Sequence, residues 1–162
     1  MEVNEVILTS NEIIEKLNNI NNEWLKDIKL TKKQLEDIIS CINSCTSPKK
    51  EDIFKAFSLF NPSETRVLIL GQDPYPDNDK YRVLHYGKRA HGLAFSFKNG
   101  QEPAEDSLLN IFKAIDIYKN EEAENFSDIY AWNTNLEIWA RNNKILLLNT
   151  ALTYCDKMNI YF

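Results

Sequence analysis

The chain has 162 residues, of which 43% are hydrophobic, and its formal net charge is −5. This length can bury one ordinary core, so we expect a single domain over residues 1–162. We predict no membrane association, because no apolar stretch could span a bilayer and the opening residues lack the features of a secretory signal. The three cysteines lack disulfide-rich spacing. This predicts a reduced, cytoplasmic setting, or a nuclear one in a eukaryote or a viral host.

The first half of the chain has helical signals. Two segments, 9–12 and 31–34, each fit a capping box at the start of a helix. The second is followed by apolar residues at helical spacing, which predicts a stripe facing the core: Leu35, Ile38, Ile39 and Ile42. Cys41 and Cys45 could face one ligand from that helix, but no Cys or His pair completes a metal site. We therefore predict neither a metal nor a cofactor.

An apolar run from Val67 to Leu70 ends at Gly71 and is followed by a single carboxylate. Four consecutive aliphatic residues predict a strand buried on both faces of a parallel sheet. Ligands bind beyond the carboxyl ends of such strands, so Gln72, Asp73 and Tyr75 become candidate site residues. Pro74 stiffens the turn that presents Asp73. A turn-capping Asp is the alternative reading of this position.

Strands and helices alternate from this point onwards. We predict strands over Leu93–Phe97 and Ile145–Asn149, and helices over Ser107–Tyr118 and Thr134–Arg141. Alternation of this kind predicts an α/β fold with three layers, a small central parallel sheet flanked by helices, and a helical N-terminal region. No internal repeat, Gly-rich phosphate loop or Walker pattern is present, which disfavours enzymes with a nucleotide cofactor.

Residues 71–75, Gly-Gln-Asp-Pro-Tyr, closely resemble the water-activating motif of the uracil-DNA glycosylases. In that family the next residue is His or, in some members, Pro, and here it is Pro76. Four further blocks resemble that family in the family's order. They correspond to the helix before the motif, the strand with the base-stacking phenylalanine, the phosphate-contacting serine with its helix, and the strand ending in the uracil-reading asparagine: 48–57, 92–96, 107–113 and 146–153.

The resemblance implies base excision repair of DNA that contains uracil, by hydrolysis of the N-glycosidic bond of a flipped-out uracil. By this resemblance Asp73 orients the water and stabilises the sugar cation, and Asn149 reads the uracil edge. The resemblance also implies that Tyr75 excludes the thymine methyl group, that Phe95 stacks on the base and that Gln72 contributes contacts next to the pocket. Alternatives remain open, because Asn149 could form only a turn and Phe95 could belong to the core.

Contacts to the DNA backbone are also implied. Ser107 resembles the phosphate-contacting serine, although it could serve only as an N-cap. The overall negative charge does not favour DNA binding, so the distribution of charge matters. Residues 76–91 hold more basic than acidic residues, with tyrosines and histidines between them, and predict a cationic rim that includes Lys88 and Arg89.

The chain departs from the family at three places. An insertion of about nine residues lies between Tyr75 and Gly92. The proline-rich loop before the serine becomes Glu102–Asp106, whose three carboxylates would repel phosphate. No His follows Asn149, where the family has a His-Pro-Ser segment, so we expect truncation after a third strand and a rate loss of about 10²–10³.

These departures keep a second hypothesis open, a weak or inactive relative that acts as a DNA- or protein-binding module. An unrelated α/β hydrolase is remote, because the sequence shows no Ser-His-Asp set. We also expect Ile145–Leu148 to expose an apolar edge that a protein partner, or a second copy, covers.

Overall fold

The computed structural model describes residues 17, 20–26, 29–76, 89–119 and 132–155. Its helices and strands, in chain order, are α1 Asn22–Leu25, α2 Lys32–Ser44, β1 Val67–Gly71, α3 Asp106–Lys119, α4 Glu137–Asn143 and β2 Ile145–Asn149. Three short 3-10 turns separate α2 from β1: Lys50–Asp52, Lys55–Ser58 and Pro62–Glu64. Within these described ranges, no helix is long and apolar enough to cross a membrane.

Helix α2 begins at the capping box predicted for segment 31–34. The Thr31 side chain accepts a hydrogen bond from the Gln34 backbone N–H, and the Gln34 side chain accepts one from the Thr31 N–H. Its predicted apolar stripe packs into a small core with Leu17 and Leu25. The first predicted capping box, at 9–12, lies outside the described residues.

The two strands pair in parallel, with a register that runs from Val67 opposite Ile145 to Gly71 opposite Asn149. Helices α3 and α4 precede β2 in the chain, so the connection between the strands is a helical crossover, as an α/β fold requires. The main core lies where these helices meet β2. Its fully buried members include Phe97, Leu108, Phe112, Leu136, Ala140 and Leu147.

Strand β1 is not buried on both faces, contrary to the sequence prediction. Val67, Leu68 and Leu70 are 48%, 55% and 53% exposed. Among the described residues β1 pairs with β2 alone, so its other edge has no strand beside it. Strand β2 also has a strand on one side only among the described residues, as predicted, but the expected exposure of its apolar residues is wrong. Leu146 and Leu147 are buried, and the Ala94 N–H donates to the Leu147 carbonyl at 3.1 Å.

The predicted strand over Leu93–Phe97 is also wrong. Phe95 has φ 61°, a left-handed conformation that an extended strand cannot contain, and the segment forms turns. The sheet therefore has two strands among the described residues, where three were predicted. The helix expected over 48–57 is replaced by two 3-10 turns, and the helix expected from Thr134 begins at Glu137.

Candidate active site

The carboxyl ends of the two strands are tied together by three hydrogen bonds. The Thr150 backbone N–H donates to the Gly71 carbonyl at 3.0 Å, and the Ala151 N–H donates to the Gln72 carbonyl at 2.9 Å. The Thr150 hydroxyl donates to the same Gln72 carbonyl at 2.7 Å. The turn that carries Asp73 is thereby fixed relative to the turn that follows β2.

A cavity of about 260 Å³ opens at these strand ends. It brings together six of the residues predicted from the sequence: Gln72, Asp73, Tyr75, Phe95, Ser107 and Asn149. Pockets for drug-sized ligands measure about 300–1,000 Å³, so this cavity suits something smaller, such as a single nucleobase. Asp73 and Asn149 line the same cavity, as the sequence predicted. Gly71 also lines the cavity, and the Asn149 amide lies against it.

Tyr75 forms an aromatic wall of the cavity. Its ring packs on Phe97 with centroids 4.6 Å apart, and its backbone carbonyl accepts a 2.6 Å hydrogen bond from the Ser47 hydroxyl. Burial raises the pKa of Tyr75 to about 12; the nearby Arg89 opposes this rise and Glu105 adds to it. The phenol is therefore neutral at physiological pH. Sequence reasoning missed Ser47, because nothing in its neighbourhood signals a contact 28 residues away.

Phe95 and Ser107 lie on opposite sides of a long loop but meet at this cavity. The left-handed backbone of Phe95 costs about 1–2 kcal/mol in a residue with a side chain. Unfavourable backbone conformations of this kind cluster at functional sites. Ser107 is exposed in the first turn of α3, where the helix dipole favours an anion.

Arg89 does not lie on a solvent-exposed cationic rim, so the prediction that it contacts DNA is corrected. Its side chain is 5% exposed, and it donates to Glu102 at 3.0 Å and to Glu105 at 2.8 Å. Two of the three carboxylates expected to repel phosphate are therefore paired with a cation. Lys88, the other predicted basic contact, and most of the inserted segment lie outside the described residues.

His91 is likewise not a rim cation. It is 1% exposed, and burial, with a further contribution from Lys55, lowers its pKa to about 4. The Lys55 ammonium lies 3.3 Å from Nδ1 and has no lone pair to offer, so Nδ1 must accept. Nε2–H then donates to the Ser96 hydroxyl at 2.7 Å. A general base would have to accept the proton of the serine hydroxyl at Nε2. His91 and Ser96 therefore cannot act as the base and nucleophile of a hydrolase.

No family model matches the sequence. Curated relatives named uracil-DNA glycosylase do match it. A uracil-DNA glycosylase from Lachnoclostridium phytofermentans is 38% identical over 144 residues, which are 83% of this chain and 55% of the relative. One from Aliivibrio salmonicida is 37% identical over 143 residues, 83% of this chain and 56% of the relative. The chain thus spans about half the length of these relatives.

Solved structures with the same fold carry this name too. The mimivirus uracil-DNA glycosylase superposes with a TM-score of 0.62 at 22% identity, covering 93% of this chain and 51% of that one. The UNG of Nitratifractor salsuginis superposes with a TM-score of 0.55 at 21% identity, covering 91% and 65%. A variant of the mimivirus protein was solved in complex with UGI.

The parallel strands with a cavity of about 260 Å³ at their carboxyl ends define an α/β protein with a candidate site at the edge of its sheet. Its fold is that of the uracil-DNA glycosylases, and relatives of that name match it over most of its own length.

Proposed function

We propose that this chain carries the base-excision site of a uracil-DNA glycosylase. The observation that carries the proposal is the meeting of Asp73 and Asn149 at one cavity of single-base size. A carboxylate there can hold a water, and an amide there can read a base. The substrate is DNA in which a uracil has been extruded from the stack, because the bond to be broken is hidden inside a duplex.

The reaction is hydrolysis of the bond between C1′ of the deoxyribose and N1 of uracil. The bonding electron pair leaves with the base, so positive charge builds on the sugar and negative charge on the uracil. Asp73 stabilises the sugar cation and orients the water whose oxygen then bonds to C1′. The water loses a proton and the uracil anion gains one, which yields an abasic site and free uracil. In this mechanism Asp73 acts mainly through position and charge.

Selection of the base follows from the cavity wall. The Asn149 amide offers a donor and an acceptor side by side, which match O4 and N3–H of uracil. Cytosine presents its amine to the amide donor and leaves buried groups unpaired, so it is rejected. The neutral ring of Tyr75, packed on Phe97, fills the space beside C5 and excludes a methyl group. Phe95 stacks on the base, and Gln72 borders it.

The test is to incubate the protein with single-stranded DNA that contains uracil and to measure abasic sites. Single strands remove most of the cost of base extrusion. We expect the wild type to form abasic sites and Asp73→Asn to fall to background. Asp37→Asn makes the same chemical change on an exposed face of α2 and should behave like the wild type. Equal background levels for all three proteins would instead support the binding-module hypothesis.

A protein partner was expected to cover an apolar edge of the sheet. The strand that such a partner would cover is β1, because its apolar side chains are exposed. We propose self-association through that strand, because unpaired apolar strands favour edge-to-edge contact. The cytoplasmic setting, the single domain over 1–162 and the absence of a cofactor stay predictions.

A further inference from the structure

Arg89 is buried beside the cavity, and the reaction proposed above makes no direct use of it. Its guanidinium lies 4.2 Å from the ring centroid of Phe97 and 5.1 Å from that of Tyr75. The same group is paired with Glu102 and Glu105. One cation therefore contacts both the aromatic wall and the acidic loop that precedes α3.

The two glutamates differ in their surroundings. The Glu102 side chain is 1% exposed, and its Oε1 has no hydrogen-bond partner among the described residues, so Arg89 supplies its compensating charge. The Glu105 side chain is 41% exposed and lines the cavity two residues before Ser107. A bare carboxylate at that place would repel a phosphate approaching Ser107. Pairing with Arg89 weakens that repulsion without removing it.

We propose that Arg89 is a positioning residue whose single charge offsets part of the combined charge of Glu102 and Glu105 and which holds Glu105 and Tyr75 in place, so that a DNA phosphate can approach Ser107. The inference rests on the proposed function only in taking DNA as the ligand. Arg89 acts through Glu105 and does not contact the nucleic acid itself. This accounts for an acidic loop at the mouth of a DNA site, which the sequence alone left as a contradiction.

The experiment measures binding of single-stranded DNA that lacks uracil, at low ionic strength, so that cleavage does not enter. Arg89→Gln removes the guanidinium that offsets the Glu105 carboxylate beside the phosphate, and affinity should fall about tenfold. Glu105→Gln alone should bind a few-fold more tightly than the wild type. The double variant with both substitutions should recover affinity to near the wild-type value, because the repelling charge has gone.

The double variant separates an indirect role from a direct one. If Arg89 contacted phosphate itself, Glu105→Gln would not rescue its loss, and equal weakness of the single and double variants overturns the proposal. Wild-type affinity in a folded Arg89→Gln variant overturns it as well. Should Arg89→Gln not fold, Glu105→Gln decides alone: tighter binding supports the proposal, and unchanged binding overturns it.

Failure of the proposed function gives a different pattern. The wild type could bind single-stranded DNA but form no abasic sites, while the double variant recovers the affinity that Arg89→Gln loses. That result would support the role of Arg89 and contradict the glycosylase assignment. If instead the wild type forms abasic sites and Arg89→Gln binds DNA with unchanged affinity, the glycosylase assignment is supported and the role of Arg89 is contradicted. A wild type that binds no DNA under any condition overturns both.

Discussion

Gly71 and Asn149 are register partners across the two strands, and the Asn149 amide oxygen lies in the space that a Cβ atom on residue 71 would occupy. The glycine that ends β1 therefore makes room for the side chain that ends β2. Ala94 limits the same space from a third segment, at 3.1 Å from that Cβ position. The amide can reach the cavity only because residue 71 has no side chain.

We expect Gly71→Ala to displace the Asn149 amide and to destabilise the fold by about 1–3 kcal/mol, as over-packing does in tight sites. Urea unfolding measures the stability, and abasic-site formation measures the function. The double variant Gly71→Ala with Asn149→Ala should regain most of the stability and none of the activity. A stable, fully active Gly71→Ala protein would contradict the close approach.

The Thr150 hydroxyl joins the two turns at the site. Its hydrogen bond to the Gln72 carbonyl measures 2.7 Å at an exposed position. Thr150→Val keeps the shape and removes that bond, so we expect a loss of about 0.5–1 kcal/mol in stability. The rate of abasic-site formation should fall by more than this loss of stability explains, because Asp73 then moves relative to Asn149. Thr150→Ser keeps the hydroxyl and should retain activity, and a loss as large as that of the valine variant would argue against this role.

Phe95 has an unfavourable backbone and a half-buried ring. Phe95→Gly removes the ring and also relieves a strain of about 1–2 kcal/mol, so the two effects on stability should nearly cancel. Binding of single-stranded DNA should still weaken by about 1–3 kcal/mol, the usual contribution of one stacked base. Phe95→Ala keeps the strain and should be the less stable of the two. Parallel thermal melts and binding titrations check both expectations.

His91 makes stability depend on pH below neutrality. The unfolded chain protonates this residue near pH 6.5, whereas the folded protein does so near pH 4. The unfolded state therefore binds more protons in that window. The stabilisation from a neutral His91 is complete above pH 6.5 and is lost as pH falls towards 4, by up to roughly 3 kcal/mol. Urea unfolding at several pH values should show a flatter dependence for His91→Gln, and an unchanged slope would contradict the buried neutral imidazole.

The apolar side chains of β1 should promote association. Leu68 is 55% exposed on a strand with an open edge among the described residues. Leu68→Lys places a charge there and should lower the apparent mass at high protein concentration, as seen by size exclusion with light scattering. Ile138 is 63% exposed on α4, so Ile138→Lys is a matched control that should leave association unchanged. A wild type that stays monomeric at all concentrations would argue against the proposal.

The sequence predicted correctly those elements that depend only on residues close together in the chain. The capping box at Thr31 and the apolar runs of β1 and β2 are each set by a few neighbouring residues, and all three form where expected. The segment around Phe95 was predicted as a strand because its apolar residues permit one. In the structure this segment is a turn with Phe95 in a left-handed conformation, and its Ala94 N–H donates to the Leu147 carbonyl of β2, a contact that no local pattern encodes.

The site divides in the same way. The sequence by itself determined that Asp73 follows one strand and Asn149 ends another, and parallel pairing then brings such ends together. Only the tertiary structure decided that Arg89 and His91 are buried and that β1 is the exposed strand. Charge and hydrophobicity are properties of single residues, whereas burial depends on contacts between residues far apart in the chain. Ion pairs such as the one between Arg89 and Glu102 therefore appear only once the chain has folded.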